Sequence, residues 1–224
     1  FGEPFSCPGD IRWHTICLSL AGISVSRTSE PTMDKDSEME KADSRARGEG
    51  ICEATPAALA KLRLARLLVF DFDGVFTDNL VYVGSNGEEW VCCSRSDSLG
   101  LAMLRQNPVQ LLVLSTETNA VVAKRCEKLR LECISGCADK WRALQEQMAQ
   151  RGLGAEAVAY MGNDLNDLPC MEKVGVAIAP ADSHPAILKM ADLVTSQRGG
   201  RGAIRQVAEW ILGMGDDFKK KMEK

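Results

Sequence analysis

The regular alternation of short apolar runs with segments of helix length constrains the fold of this chain more than any other feature. Residues 67–71 (LLVFD), 109–114 (VQLLVL) and 158–161 (VAYM) are almost continuously apolar and have the length of strands. Such runs are typical of strands that helices cover on both faces. Strands that alternate with helices are joined by right-handed crossovers. The sequence therefore predicts an α/β fold with a doubly wound, mainly parallel, Rossmann-like sheet.

A β-hairpin is expected directly after the first strand. Residues 80–83 and 89–93 flank the turn 84–87 (GSNG), and Asn-Gly between two apolar runs is a strong hairpin signal. A short helix is expected after Thr55, because Thr is a favoured N-cap and Pro56 suits the first helical position. Further strands are predicted at residues 131–134, 174–178 and 193–194, and helices at residues 98–106, 118–129, 139–151, 165–172, 184–190 and 203–212.

The first part of the chain differs in composition from the rest. Residues 26–50 are polar, of mixed charge and almost free of large apolar side chains, so they cannot bury enough surface to offset the entropy of ordering. Residues 16–25 are weakly apolar but lack the basic segment and cleavage pattern of an export signal. We therefore predict a disordered or linker arm over residues 1–54, a folded domain over residues 55–218 and a charged tail over residues 219–224.

Composition argues against several classes of function. The formal net charge of −4 carries no basic excess, so a nucleic-acid-binding protein is not expected. No apolar run approaches the roughly 20 residues that a membrane-spanning helix requires, so a membrane protein is not expected either. The nine cysteines lack the paired spacings of a zinc site. Reduced thiols in a cytoplasmic protein are the expectation.

Polar residues follow four of the predicted strands, and chemistry is expected where they meet. These residues are Asp71, Ser115, Lys140, which opens a helix, and the pair Asn163 and Asp164. In open parallel sheets, ligands bind beyond the carboxyl ends of the strands. We therefore expect these side chains to gather at one edge of the sheet.

Asp71 and Asp73 are a pair of carboxylates at the end of the first strand. Residues two apart on an extended chain point the same way, so the two side chains lie side by side and repel each other. A divalent cation compensates for this repulsion, and Mg²⁺ prefers oxygen ligands with one or two carboxylates. Gly74 permits a sharp exit of the chain and the close approach of a ligand.

Four ordered motifs carry a resemblance to a known family. Residues 71–78 (DFDGVFTD) resemble the first motif of the haloacid dehalogenase-like phosphohydrolases, an apolar strand followed by D-x-D-G-x-x-T-D. Ser115 is similar to the second motif, Lys140 to the third, and residues 162–167 (GNDLND) to the fourth. The resemblance extends over residues 67–212.

The resemblance narrows to one subfamily that lacks a cap domain. Only a hairpin and one helix are predicted between the first and second motifs, which leaves no room for an inserted cap. Residues 96–100 (SDSLG) and 199–202 (GGRG) are also similar to this subfamily. It contains the phosphatases of 3-deoxy-manno-octulosonate 8-phosphate and of nine-carbon keto-deoxy sugar-acid 9-phosphates, and the carboxyl-terminal domain of animal CMP-sialic acid synthetases. The resemblance implies a homotetramer whose hairpins associate and in which a neighbouring subunit closes each site.

The resemblance also implies roles for the motif residues. Asp71 is expected to be the nucleophile and to become an aspartyl phosphate. Asp73 is expected to act as general acid toward the leaving alkoxide and then as base for water. Ser115 and Lys140 are expected to stabilise the phosphoryl charge. The Asp71 carboxylate and the backbone carbonyl of Asp73 are expected to bind Mg²⁺.

The fourth motif departs from the family pattern. Active phosphatases mostly read Gly-Asp-Asp where this chain has Gly-Asn-Asp at residues 162–164. An amide oxygen is a neutral ligand, so either Asn163 binds Mg²⁺ with lower affinity or Asp164 takes its place. Asp167 is expected behind these ligands, where it orients Lys140 or a metal-bound water.

Contacts to the sugar acid are expected from residues after the hairpin, after the second motif, on the following helix and beside the late glycines. The candidates are Ser96, Asp97, Thr116, Glu117, Arg125, Lys128 and Arg201. A solvated helix face is an equally good interpretation of Arg125 and Lys128. His184 precedes Pro185 and is expected to cap a helix.

Two functions remain open on the sequence. The first is a Mg²⁺-dependent phosphatase that hydrolyses a 2-keto-3-deoxy sugar-acid phosphate of eight or nine carbons through an aspartyl phosphate. The alternative is a non-catalytic oligomerisation or regulatory domain of a CMP-sialic acid synthetase-like cytidylyltransferase. Asn163 favours the alternative, because the inactive synthetase domains also carry Gly-Asn here. Those domains have lost the nucleophile, whereas this chain retains Asp71 and Asp73, so we favour the enzyme.

Overall fold

The computed structural model describes residues 54–214. In chain order its elements are α1 (Pro56–Leu64), β1 (Leu67–Phe70), β2 (Tyr82–Val83), β3 (Glu89–Trp90), α2 (Arg95–Leu104), β4 (Gln110–Leu114), α3 (Ala120–Lys128), β5 (Glu132–Ile134), α4 (Lys140–Arg151), β6 (Val158–Met161), α5 (Leu168–Met171), β7 (Val176–Ala179), α6 (Pro185–Met190), β8 (Leu193–Val194) and α7 (Ala203–Ile211). Short 3₁₀ turns, Ala155–Ala157 and Leu165–Asp167, precede β6 and α5. The predicted arm, except for its last residue, and the predicted tail lie outside the described residues.

Six of the strands form one parallel sheet in the order β5-β4-β1-β6-β7-β8. β1 lies near its centre, with Leu67 opposite Gln110 of β4 on one side and Val158 of β6 on the other. All four residues of β1 are buried, as expected for a strand that helices cover on both faces. The structure thus confirms the predicted doubly wound α/β sheet.

The core consists of two apolar layers, one on each face of the sheet. Leu68 and Phe70 of β1 belong to the layer that contains side chains of α2, α3 and α7. Leu67 and Val69 belong to the layer that contains side chains of α4, α5 and α6. This division follows from the alternation of side chains along a strand. Since both faces of the sheet are apolar, functional polar groups collect at the strand ends.

Among residues 54–214, no helix is both long and apolar enough to span a membrane.

β2 and β3 form a separate antiparallel hairpin, with Tyr82 opposite Trp90 and Val83 opposite Glu89. This confirms the predicted hairpin, although each strand is shorter than expected. All four paired residues are exposed, and a hairpin with no face packed on a core supports little regular pairing. Between β1 and β4 the chain contains only this hairpin and α2, so no cap domain is inserted.

Two helix starts follow the predicted capping. The Oγ1 of Thr55 accepts the N–H of Ala58 at 3.2 Å, and Pro56 is the first residue of α1. The Nδ1 of His184 accepts the N–H of Ala186 at 3.1 Å at the start of α6. Both expectations are confirmed.

The single helix predicted over residues 165–172 is wrong, because a 3₁₀ turn over Leu165–Asp167 precedes α5. Pro169 lacks the N–H that would bond to the carbonyl of Leu165 in a continuous α-helix. The turn instead closes with a capping box between Asp164 and Asp167. This break directs the Asp167 carboxylate back toward the end of β6.

Candidate active site

Asp71 is the first residue after β1, at the end of a central strand of the sheet. Its Oδ1 accepts the N–H of Phe72 at 2.7 Å, and its own N–H donates to the carbonyl of Met161 on β6 at 2.9 Å. Burial and the nearby charge of Asp167 raise the pKa of Asp71 to about 7, although Lys140 opposes them. The side chain is therefore fixed in orientation and its charge depends on its neighbours.

Lys140 is the first residue of α4, and its side chain is buried. Its Nζ lies 2.8 Å from Oδ1 of Asp71 and 2.8 Å from Oδ1 of Asp167. Burial alone favours the neutral amine, but the two carboxylates outweigh it and raise the pKa of Lys140. The first and third sequence motifs therefore meet at one point, as the strand-end pattern predicts.

Asp167 joins the third motif to the fourth. Its Oδ1 accepts hydrogen bonds from Lys140 and from the hydroxyl of Tyr160, both at 2.8 Å. Its Oδ2 accepts the N–H of Asn163 at 2.9 Å and that of Asp164 at 3.3 Å. Charge-assisted bonds of this kind are stronger than neutral ones. Asp167 thus contacts Lys140 directly, and the orienting role expected of it stays a prediction.

A cavity of about 310 Å³ opens beside Asp71. Its volume lies near the lower end of the range for small-molecule sites. Its lining residues are Asp71, Asp73, Asn79, Thr116, Asn163, Asp164 and Asn166. Each of them carries a side-chain oxygen, so the cavity suits a cation together with a polar ligand.

Asp73 shares this cavity with Asp71, as their spacing predicts. The hydroxyl of Thr77 donates to Oδ1 of Asp73 at 3.5 Å and accepts the N–H of Gly74 at 3.1 Å. Burial, and then the charge of Glu117, raise the pKa of Asp73. A carboxyl group with a raised pKa retains its proton closer to neutral pH, which suits a proton donor.

The residues around Asp71 fit a divalent cation. Oδ1 of Asn163 is buried and has no hydrogen-bond partner among the described residues, and such an unpaired acceptor costs about 1–3 kcal/mol. Gly74 has a φ of +76°, and a Cβ there would lie 1.9 Å from Nδ2 of Asn163, so glycine is required for this close approach. Residues 54–214 contain no cluster of three or more carboxylate, imidazole or thiol groups suited to a metal. A cation at this cavity would be held by Asp71 and Asp73 together with a further oxygen, for which the unpaired amide Oδ1 of Asn163 is available.

Asp164 also lines the cavity, but its carboxylate has a structural partner. Its Oδ1 accepts the N–H of Leu165 at 2.7 Å and caps the 3₁₀ turn. The unpaired Oδ1 of Asn163 is thus the better candidate for a metal ligand.

The second motif forms the turn between β4 and α3. Ser115 is buried, and its Oγ accepts the N–H of Glu117 at 3.1 Å. Oε1 of Glu117 accepts the N–H of Thr118 at 2.6 Å and that of Asn119 at 2.7 Å. Thr116 lines the cavity, and its contact with a substrate stays a prediction. A role of Ser115 in phosphate binding stays a prediction.

The other candidate substrate contacts do not line the cavity of the described chain; they are Ser96, Asp97, Glu117, Arg125, Lys128 and Arg201. The carboxylate of Asp97 is buried and accepts two backbone N–H groups at the start of α7, which gives it structural partners in place of the expected substrate contact. Nη2 of Arg125 donates to the hydroxyl of Ser98 at 2.7 Å and so links α3 to α2. Nη2 of Arg201 lies 2.8 Å from Oδ2 of Asp78. Ser96 and Lys128 are exposed.

Sequence reasoning missed three residues of the site. Tyr160 bonds to Asp167 through its hydroxyl, and a tyrosine inside an otherwise apolar strand is a usable signal, because a buried phenol requires a partner. Asn79 and Asn166 line the cavity. Asn79 has a φ of +63°, which asparagine tolerates better than most residues, but the sequence carries no signal for its contact with the cavity.

Comparison with known proteins places these features in one family. The sequence profile of the haloacid dehalogenase-like hydrolases matches residues 113–206. The chain is 36% identical over 159 residues to the 3-deoxy-D-manno-octulosonate 8-phosphate phosphatase of Salmonella typhimurium. That alignment covers 70% of this chain and 85% of the relative.

Solved structures agree with the sequence comparison. The 3-deoxy-D-manno-octulosonate 8-phosphate phosphatase of Yersinia pestis is 34% identical with a TM-score of 0.69, covering 73% of this chain and 89% of that one. The enzyme of that name from Moraxella catarrhalis, solved with a magnesium ion, a phosphate ion and a KDO molecule, is 28% identical with a TM-score of 0.68, covering 75% and 97%. The chain therefore belongs to the haloacid dehalogenase-like hydrolases, as a phosphoric monoester hydrolase that lacks a cap domain.

Proposed function

We propose that this chain is a Mg²⁺-dependent phosphatase that hydrolyses the phosphate ester of a 2-keto-3-deoxy sugar acid with eight or nine carbons. The observation that carries the proposal is the contact of 2.8 Å between Asp71 and Lys140 at the edge of a polar cavity. This contact pairs a carboxylate nucleophile with a fixed positive charge for the phosphoryl group. The names of the Salmonella and Yersinia relatives and the KDO molecule in the Moraxella structure support the substrate class.

Asp71 is the proposed nucleophile. In the described chain, the polar contacts of its side chain, from the N–H of Phe72 and from Nζ of Lys140, both fall on Oδ1. We assign the attack on phosphorus to Oδ2, while Oδ1 keeps the carboxylate oriented. A bond from Oδ2 to phosphorus forms, the ester bond between phosphorus and oxygen breaks, and the alkoxide of the sugar acid leaves.

Asp73 is the proposed proton donor and acceptor. In its protonated form it gives a proton to the leaving alkoxide, and its raised pKa favours that form. The resulting carboxylate then takes a proton from the water that attacks phosphorus, and inorganic phosphate leaves Asp71. The hydroxyl of Thr77 orients the Asp73 carboxyl group for both transfers.

Mg²⁺ would be held by the Asp71 carboxylate, the backbone carbonyl of Asp73 and Oδ1 of Asn163, and when bound it offsets charge on the transferring phosphoryl group. The unpaired, buried Oδ1 of Asn163 supports this assignment. Lys140 supplies the complementary positive charge from the protein itself, because its pKa is raised and it stays protonated at neutral pH.

Phosphate release from a panel of sugar-acid phosphates tests the proposal. We expect release from 3-deoxy-octulosonate 8-phosphate or from a nine-carbon 9-phosphate with Mg²⁺ and no release in EDTA. The ratio of the kcat/KM values for the two substrates shows whether the preferred sugar acid has eight or nine carbons. Metal-independent turnover, or no turnover of either substrate, contradicts the proposal.

The non-catalytic alternative is less well supported. Asn163 is the observation that favours it. Against it, Asp71, Asp73 and Lys140 are all present and adjacent to one cavity. A catalytic centre that had lost its activity would be under no requirement to keep a buried ammonium between two buried carboxylates, since such groups are costly to desolvate.

We further propose that the hairpin is the association surface of a homotetramer. Its exposed apolar side chains are Leu80, Val81, Tyr82, Val83 and Trp90. Clustered exposed apolar side chains mark interaction surfaces. Association of hairpins would bury them and give β2 and β3 the packed face that they lack in the single chain.

A further inference from the structure

We propose that Asp97 is a positioning residue for phosphoryl transfer, acting through the glycine loop (residues 199–202) on the nucleophile loop (residues 71–78). The inference rests on the proposed function, because it concerns how Asp71 and Asp73 are held for that reaction. It also gives a role to two sequence segments, residues 96–100 and 199–202, that contain none of the proposed catalytic residues.

The glycine loop lies directly on the backbone of the nucleophile loop. The N–H of Gly200 donates to the carbonyl of Val75 at 2.9 Å. A Cβ on Gly199 would lie 1.9 Å from the carbonyl oxygen of Gly74, and a Cβ on Gly200 would lie 2.5 Å from the carbonyl carbon of Thr77. No side chain fits between the two loops, so a displacement of the glycine loop must move the nucleophile loop or break the contact.

The residues of the nucleophile loop that contact the glycine loop also position the groups of the site. Gly74 lies against the carboxamide of Asn163 and donates its N–H to Oγ1 of Thr77. That same hydroxyl donates to Oδ1 of Asp73. Gly74 and Val75, whose carbonyls contact the glycine loop, are therefore one and two residues from the proposed proton donor, and Gly74 lies beside the proposed metal ligand Asn163.

Asp97 holds the far end of the glycine loop from α2. Its carboxylate is buried, with Oδ2 accepting the N–H of Gly202 at 3.2 Å and Oδ1 accepting the N–H of Arg205 at 2.9 Å. Gly202 is the N-cap of α7 and has no side chain to cap it. Asp97 supplies that cap and places a negative charge at the positive end of α7.

A second carboxylate holds the near end of the glycine loop. Oδ1 of Asp182 accepts the N–H of Gly199 at 2.9 Å, and Asp182 is exposed whereas Asp97 is buried. The loop is thus fixed at both ends by side chains and in its middle by the nucleophile loop. Loss of the Asp97 contact releases one end of this arrangement.

Hydrogen exchange and kinetics on Asp97→Asn test the inference. The amide of Phe76, which bonds to the carbonyl of Phe72 within the nucleophile loop, should exchange about fivefold faster or more in the variant, since about one hydrogen bond of local stability is lost. We expect kcat to fall about tenfold or more while KM changes little, because alignment rather than substrate binding is altered.

Asp192→Asn is the matched control. Oδ2 of Asp192 also accepts a backbone N–H, that of Ala177 at 2.9 Å, but at the amino end of β7, the edge of the sheet opposite the site. It should leave the exchange of Phe76 and kcat unchanged. Asp182→Ala loosens the exposed end of the glycine loop and should shift both measurements in the same direction as Asp97→Asn. This variant keeps the test decisive if Asp97→Asn does not fold.

Two results overturn the inference. In the first, exchange rises only at residues 202–205 and kcat is unchanged, so that Asp97 is a helix cap alone. In the second, Asp192→Asn changes exchange at Phe76 and kcat as much as Asp97→Asn does, so that the effect is general destabilisation. Hydrogen exchange is measured without turnover. If the wild type has no activity, the proposed function is contradicted, but the exchange rate of Phe76 still tests the coupling between the two loops.

Discussion

Asp71, Lys140 and Asp167 form a buried chain in which one ammonium lies between two carboxylates. Removing the ammonium leaves two like charges without compensation in the interior. We expect Lys140→Met to lower the free energy of unfolding by about 3 kcal/mol or more and to abolish turnover, measured by urea denaturation and phosphate release. Arg142→Met, which breaks an exposed ion pair with Glu146, should cost less than about 1 kcal/mol. Equal losses in the two variants would contradict this account.

The identity of the fourth-motif metal ligand is open to a direct test. Asn163→Asp adds a charged oxygen where Oδ1 is unpaired, so we expect Mg²⁺ to bind more tightly by calorimetry and half-maximal activity to need less Mg²⁺. Asp164→Asn should change Mg²⁺ affinity little, because Asp164 caps the 3₁₀ turn. A large loss of affinity in Asp164→Asn alone would assign the ligand to Asp164 instead.

Asp71 also makes the stability of the metal-free protein depend on pH. Its pKa is about 7 when folded, against an ordinary value of 3.8. The folded state therefore favours the protonated form, and the resulting stabilisation is fully present below pH 3.8 and is lost as the pH rises through 7. Urea denaturation in EDTA should show a larger loss of stability between about pH 5 and about pH 8 for the wild type than for Asp71→Asn. Parallel pH dependences would contradict the raised pKa.

At the scale of single residues, the sequence predicts the site residues that lie at or just after the carboxyl ends of the strands. Asp71, Asp73 and Lys140 lie where the alternation of strand and helix puts them. Asp97 does not, because its carboxylate bonds to Gly202 and Arg205, more than a hundred positions away. A polar residue near a helix start looks the same in sequence whether it faces a ligand or a distant backbone.

At the scale of elements, strands and helices are predicted from periodicity, and the errors have local causes. β6 and β8 match the predicted bounds, because apolar runs bounded by turn residues define them. The helix predicted over residues 165–172 divides at Pro169, whose missing N–H was already visible in the sequence. The short pairing of β2 with β3 was not visible, since the sequence does not show that both faces of these strands are exposed and that no core face supports longer pairing.

The start of α1 offers a simple test of element stability. Oγ1 of Thr55 accepts the N–H of Ala58, and Leu62 of the same helix is buried in the core. We expect Thr55→Ala to lower the free energy of unfolding by about 1 kcal/mol without changing kcat. Ser85→Ala in the exposed hairpin turn should change stability by less than about 0.5 kcal/mol. A cost at position 55 no larger than at position 85 would exclude capping as the source.

At the scale of the whole molecule, the alternation of elements predicts a parallel sheet but not the order of its strands, which depends on how crossovers pack. The proposed role of the hairpin likewise concerns its contact with other copies of the chain, which the sequence of one chain does not define. We expect Val83→Lys with Trp90→Lys to reduce the molar mass measured by light scattering from that of a tetramer to that of smaller species, because charges would be buried in the interface. Ser85→Lys, in the turn, is the control. An unchanged molar mass in the double variant would contradict hairpin association.

The central claim is that Asp71 becomes covalently phosphorylated during turnover. Acid quenching of the enzyme with substrate and Mg²⁺, followed by borohydride reduction and peptide mass spectrometry, identifies the carboxyl group that carried phosphate. The account predicts homoserine at position 71 in the wild type, and none in EDTA or in Asp71→Asn, which should also lose turnover. Homoserine at position 73 instead, or undiminished phosphate release by Asp71→Asn, would contradict it.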